Sequence, residues 1–127
     1  MTWCSDTVGY LASIRDGNTA LPTKSSIGSG YANTQIMLKN CAYGAANVAA
    51  SYNGGGKSDW FLPSIDELHK LYVEEIMGGI GSGGDNNYWS SSEYGSNDNQ
   101  AWEQSFLGPS NANNKSSIFY VRPVRAF

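Results

Sequence analysis

The chain predicts an α+β domain in which two helices pack on a twisted, mainly antiparallel sheet with long loops. Three observations carry that expectation. Apolar residues recur at helical spacing over 33–52 and 64–77. From residue 88 onward the chain breaks into short runs with strand-like alternation. Gly, Ser, Asn and Pro punctuate the connections, with 15 Gly in 127 residues. That length suits one domain, 1–127, and a chain 40% apolar and 13% aromatic can build a core.

The elements follow in order. "VGYLASI" (8–14) is expected as the first strand and "RDGNTALPTKSSIGSGYA" (15–32) as a loop. "NTQIMLKNCAYGAANVAASY" (33–52) is expected as one helix, capped by Asn33 or Thr34. Met37, Cys41, Ala45, Val48 and Tyr52 share one of its faces. Gly44, Ala45, Ala46, Ala49 and Ala50 would let a neighbour approach closely, and "NGGG" (53–56) ends the helix. Trp60 to Leu62 is a short apolar strand broken by Pro63. Ser64 and Glu67 then form a capping box, S-x-x-E. Asp66 and Glu67 occupy the first turn, where the helix dipole favours carboxylates. Ile65, Leu68, Tyr72 and Ile76 make the buried stripe with Leu71 beside it, and Gly78 and Gly79 stop the helix.

Beyond the second helix, "GIGSGGDNN" is expected as loop, "YWSSSE" (88–93) as strand and "YGSNDNQ" (94–100) as polar loop. "AWEQSF" (101–106) alternates, with Trp102, Gln104 and Phe106 on one face and Glu103 and Ser105 on the other. "LGPSNANNK" (107–115) is expected as loop and "SSIFYVRPVRAF" as the closing strand, with Pro123 at an edge position. Trp60, Trp89 and Trp102 are expected as core anchors, and Glu93 is expected to pair with Arg122 or Arg125.

Charge and composition exclude several functions. The net charge is −3, and the eight Lys and Arg residues are scattered, with only Arg122 and Arg125 close together. No nucleic-acid footprint is therefore expected. No apolar run reaches the roughly 18 residues a membrane helix needs, so no membrane insertion is expected. No basic start leads into an apolar run, so no signal peptide is expected. Cys4 and Cys41 allow one bridge, although a buried free thiol at Cys41 is the expectation. With a single His, no Cys/His metal set assembles, and no metal or cofactor is expected. His69 falls on the polar side of its helix, and the pairs Asp66/Glu67 and Glu74/Glu75 are explained by capping and solvation. No enzyme activity is expected.

Asparagine is unevenly placed. Residues 86–127 hold seven Asn, at 86, 87, 97, 99, 111, 113 and 114, against five in residues 1–85. Asn suits turns, and Asn, Ser, Gly and Tyr are also the adaptable contacts of antibody paratopes.

"IGSGYANT", "SDWFLPSIDEL", "YWSSSE", "AW…F" and "VRPVRAF" follow one another in an order and spacing that resembles a known family. It is the C-terminal domain of bacterial collagen-like adhesins, a C-type-lectin-like family. The likeness is greatest to the branch that serves as variable proteins of diversity-generating retroelements, in phages and gut bacteria. It spans residues 26–127. The resemblance implies a C-type-lectin-like fold and a diversified region at approximately 94–119. In such systems template adenines mutate during copying, and AAC codons are preferred targets. Their products exclude Gln, Glu, Lys, Met and Trp. Gly95, Asn97, Asp98, Asn99, Leu107, Asn111, Asn113, Asn114, Ser116, Ser117, Ile118 and Phe119 fit the permitted set. Trp102, Glu103, Gln104 and Lys115 do not, although a lysine-codon template can yield Glu or Gln.

The binding surface is therefore expected at Asn97, Asp98, Asn99, Glu103, Ser105, Leu107, Asn111, Asn113, Ser117 and Phe119. Phe119 is either an aromatic anchor there or part of the core. The implied partner is a protein or glycan ligand on a cell surface, with the domain at a virion tail tip or a bacterial cell surface, and an oligomer is compatible with this. The alternative is an invariant glycan-binding adhesin head. A lone Asp98 among amides is too little charge for a calcium site, and the two cysteines do not match the paired cysteines of the formylglycine-generating enzymes in the wider superfamily.

Overall fold

The computed structural model describes residues 1–5, 22–77, 86–94 and 97–126, apart from the side chains of 5, 76, 77 and 97–99. In chain order the elements are β1 (Cys4–Ser5), α1 (Gly30–Asn40), β2 (Tyr43–Gly44), α2 (Ala45–Ser51), α3 (Ile65–Met77), β3 (Asn87–Tyr94), β4 (Asn97–Ser105) and β5 (Ser110–Asn114). The architecture is α+β. Strands β1 and β2 form one antiparallel pair, and β3, β4 and β5 form an antiparallel sheet in that order. The expected strand at 8–14, its pairing with 117–125, and the helix stop at Gly78 and Gly79 lie outside the described residues.

The single helix expected over 33–52 is instead two. Cys41 leaves helical geometry because its sulfur is bonded to Cys4, so neither cysteine is free. The expected free thiol at Cys41 is thus replaced by a disulfide, which sequence distance alone does not reveal. Beside it β2 pairs with β1, and Gly44 takes φ +136° against the Trp3 carbonyl. A Cβ there would lie 2.6 Å from that oxygen, so only glycine makes the turn. Helix α1 also starts earlier than expected, after Ser29. Asn33 and Thr34 do not cap it but face inward. Asn33 Nδ2 donates to the Lys24 carbonyl at 2.6 Å, and Thr34 Oγ1 accepts from Leu62 N at 3.0 Å. The alanines of α2 pack closely as expected, with Ala45, Ala46 and Ala49 buried, whereas Val48 and Tyr52 are exposed.

Helix α3 begins at the capping box. Glu67 Oε1 accepts from Ser64 N at 2.8 Å, and Ser64 Oγ accepts from Glu67 N at 3.3 Å. The same Glu67 accepts from Gly28 N at 2.8 Å, tying the 22–29 segment to the helix start. Ile65 and Leu68 are buried, and Leu71 and Tyr72 pack against the Leu68, Tyr88 and Phe106 cluster.

The motif "WSSSE" explains itself in β3. Trp89 pairs with Glu103 and Glu93 with Ala101, so three residues on β3 oppose one on β4. The three serines of this bulge are buried; the Ser90 and Ser92 hydroxyls take up main-chain groups, and Ser91 Oγ accepts from Asn33 Nδ2 at 3.2 Å. Ser90 Oγ donates to the Trp102 carbonyl at 2.7 Å, and Ser92 Oγ accepts from Ile65 N at 3.0 Å. Trp89 is fully buried as expected, and so is Trp3. Trp60 and Trp102 are only half-buried, edge-on to Tyr52 and Tyr94 respectively, so they do not anchor the core.

The closing stretch is not one strand. It touches the fold at separate points: Tyr120 bridges Tyr88, and Val124 bridges Phe61. The chain's first residues lie along it, with Trp3 N donating to the Lys115 carbonyl at 3.0 Å and Phe119 N to the Met1 carbonyl at 3.1 Å. The expected pairing of Glu93 with Arg122 or Arg125 does not form. Lys115 Nζ donates to Glu93 Oε2 at 2.7 Å inside the protein. Arg122 pairs with Glu75 and Arg125 with Asp59, because the tail runs past α3 and the 57–60 segment rather than past β3.

Candidate functional site: the three-stranded face

Two stretches expected as loops are strands. Asn97–Gln100 belongs to β4, and the asparagine-rich run Ser110–Asn114 is β5. Nothing in "SNANN" has strand propensity. The run is extended because β4 offers it a complete ladder, with Gln100 opposite Asn114 and Gln104 opposite Ser110. Main-chain pairing holds it, and its own side chains add no core residue. Asn111 and Asn114 are exposed, and Ser110, Ala112 and Asn113 are half-buried.

The register places the expected surface residues. Asn111 lies opposite Glu103, and Asn113 opposite Ala101. On the other side of β4, Trp89 lies opposite Glu103, and Asn87 opposite Ser105. Glu103, Ser105, Asn111 and Asn113 therefore share one face. Phe119 approaches it from the closing segment, edge-on to Trp89 with ring centroids 4.8 Å apart, half-buried against the core. Of the two roles expected for Phe119 as alternatives, the structure shows the packing against the core. Leu107 stands out of the β4–β5 turn at 71% exposure. Ser117 is half-buried just past β5. The side chains of Asn97, Asp98 and Asn99 lie outside the described residues.

Glu103 departs from its expected outward position. It is 1% exposed. Its Oε2 accepts from Asn113 Nδ2 at 2.7 Å and from Asn87 Nδ2 at 3.3 Å, so it ties β3, β4 and β5 together. Its Oε1 is buried with no hydrogen-bond partner. Burial pushes its pKa above the ordinary carboxylate value, against the pull of the Asn113 and Asn87 amides. On the opposite face Gln104 is fully buried, donating from Nε2 to the Ser105 and Gly108 carbonyls at 2.8 and 2.7 Å. His69 of α3 is exposed, with Nδ1 3.0 Å from Gln104 Oε1.

Sequence alternation missed Glu103 because both faces of β4 are covered. Trp89 and the start of the chain lie over one, and α3 over the other. Its charge hid it, since a buried carboxylate is the rarer case.

Among the described residues no group of three or more His, Cys, Asp or Glu is placed to hold a metal ion. Nor is any described helix long and apolar enough to cross a membrane. No curated protein and no solved structure matches the chain. The Lcl C-terminal domain family model matches residues 3–125, and the chain belongs to that family, to which its sequence motifs pointed.

Proposed function

We propose that the domain is a ligand-binding head of the receptor or adhesin type, whose surface over approximately 94–119 is diversified by a retroelement. One observation carries the reading. Of the residues in this region that an AAC codon cannot yield, Glu103, Gln104 and Lys115 are buried and hold the sheet together. Leu107, Asn111, Asn114, Ser116 and Ile118, which it can yield, are exposed. Ala101 and Phe106 also fit the permitted set but are buried. Mutable identity thus coincides with freedom from the core past β4, in the turn, β5 and the segment after it, and binding residues are commonly carried by such positions on a fixed scaffold. Ser105 and Asn113 share the Asn111 face, Ser117 and Phe119 follow β5, and Asn114 lies on the other side of the sheet. Asn97, Asp98 and Asn99 are proposed as further contacts.

The fold is assigned as C-type-lectin-like, supported by the chain's start lying along residues 115–119. The function is binding rather than catalysis. Cys4 and Cys41 are consumed in a disulfide, and His69 is engaged by an amide rather than by a nucleophile. The disulfide also favours a site of action outside the reducing cytoplasm, at a cell surface or a virion tail tip. The partner is a protein or glycan on another cell surface. No nucleic-acid partner, membrane insertion or cofactor is assigned.

Sequencing the DNA around the gene tests this. The expected result is a near-copy of the gene's end that differs from it at adenines, with differences falling in codons 94–119. Absence of such a copy, with an invariant gene end across isolates, would leave the invariant glycan-binding adhesin head as the better account.

A further inference from the structure

We propose that Glu103 is the floor of a cation-accepting subsite on the three-stranded face, taking the ammonium or guanidinium of a lysine or arginine on a protein partner. The proposal rests on assigning this face to binding, and it specifies what the face binds.

Glu103 has unused hydrogen-bonding capacity. An ionised carboxylate offers two acceptor oxygens, and a buried one is expected to use both. Glu103 Oε2 is served by Asn113 and Asn87, while Oε1 is buried and empty. Among the described residues, two cations close to this sheet are committed elsewhere. Lys115 Nζ is given to Glu93 Oε2 at 2.7 Å, and the Met1 ammonium donates to the Phe119 carbonyl at 2.8 Å. The carboxylate therefore depends on two uncharged amides, both at Oε2, and burial opposes the charge. A ligand cation would supply the missing donor and the missing charge together.

The surroundings suit that chemistry. Trp89, opposite Glu103 on β3, and Phe119 against it provide aromatic rings next to the carboxylate. Aromatic rings and a carboxylate together favour ammonium and guanidinium over neutral donors. The other neighbour, Asn111, is exposed, and Asn113 is half-buried. A ligand reaching Oε1 from this edge strand would have to displace side chains while the strand backbone stays paired. Glu103 lies outside the AAC set and Asn111 within it, so variants that keep the Glu103 codon would retain the carboxylate while Asn111 varies beside it. Successive variants would share one anchoring chemistry and differ in the surrounding contacts.

The test uses the whole domain and two small probes of one shape, methylguanidinium and its neutral counterpart methylurea. Heteronuclear NMR follows the side-chain amides of Asn87 and Asn113 during each titration. The expected result is a saturable shift with methylguanidinium, at least about tenfold tighter than with methylurea, as loss of a charge-assisted bond implies. Glu103→Gln should abolish the difference. Equal affinity for the two probes, no saturable shift, or an unchanged preference in Glu103→Gln would overturn the proposal. Should Glu103→Gln fail to fold, the comparison of probes in the unaltered protein decides. An invariant gene end would refute diversification without touching this result, and a flat titration would refute the subsite without touching diversification.

Discussion

Lys115 and Glu93 meet at 2.7 Å with side chains only 3% and 4% exposed. Lys115 also lies 4.6 Å from the centroid of the Trp3 ring. Such a pair gains little over a hydrophobic one, but removing one partner takes away a buried counter-charge held at 2.7 Å. Lys115→Met should therefore cost about 3–5 kcal/mol, and the double variant with Glu93→Leu should regain much of it. Denaturant unfolding of the two singles and the double checks this; an additive double variant would contradict it. Glu103 makes the opposite kind of prediction, through pH. Its folded pKa is raised, chiefly by burial. A raised carboxylate favours the protonated form in the fold, so its stabilising contribution is present below the ordinary carboxylate range and is lost as pH rises through the folded value. Glu103→Gln should then gain stability relative to the parent as pH rises toward neutrality and lose that gain in acid. Unfolding midpoints of both proteins across that range measure the difference, and the opposite slope would count against the burial argument.

At the scale of elements, the start of α1 against the cap of α3 is the tightest joint. A Cβ at Gly30 would overlap the Glu67 carboxylate and come within 2.9 Å of the Phe61 ring and Ser64 N. Gly30→Ala should destabilise by about 1–3 kcal/mol, as overpacking does, despite alanine's better helix propensity. A thermal melt suffices to check it, and a stabilised variant would show that the joint is looser than drawn. The elements that were legible in the sequence are those with local causes. The capping box of Ser64 and Glu67, the Leu68 stripe and the Trp89 strand each follow from neighbours in the chain. The helix break at Cys41 was not legible, because its cause is Cys4, 37 residues away. β5 was not legible either, because "SNANN" is extended only by what β4 offers it. The candidate face was legible in part: Asn111, Leu107 and Phe119 lie on it or beside it, while the buried role of Glu103 depends on Asn87 and Asn113 from two other strands.

Over the whole molecule, the two ends of the chain secure each other and the face between them. Residues 1–3 hold 115–119 by main-chain bonds, and the next residue, Cys4, is bonded to Cys41. Closing a loop of 37 residues' separation is worth about 4 kcal/mol by the chain-entropy account. Reduction should lower the melting temperature accordingly, and an unchanged melt in strong reductant would show the bridge to be dispensable. The central claim is that the backbone of β5 and the segments flanking it belongs to the fold, with Lys115 and Phe119 packed inward, while the exposed side chains belong to the ligand. Two display libraries test it most directly. One randomises Leu107, Asn111, Asn114 and Ile118, and the other randomises Glu103, Gln104 and Lys115. Each is scored for folded protein by protease resistance and for binding to a panel of cell-surface proteins. The first library should stay folded throughout, each position shifting stability by within about 0.5 kcal/mol, and should yield binders of differing specificity. The second should be largely unfolded. A first library that unfolds as readily as the second would contradict the account.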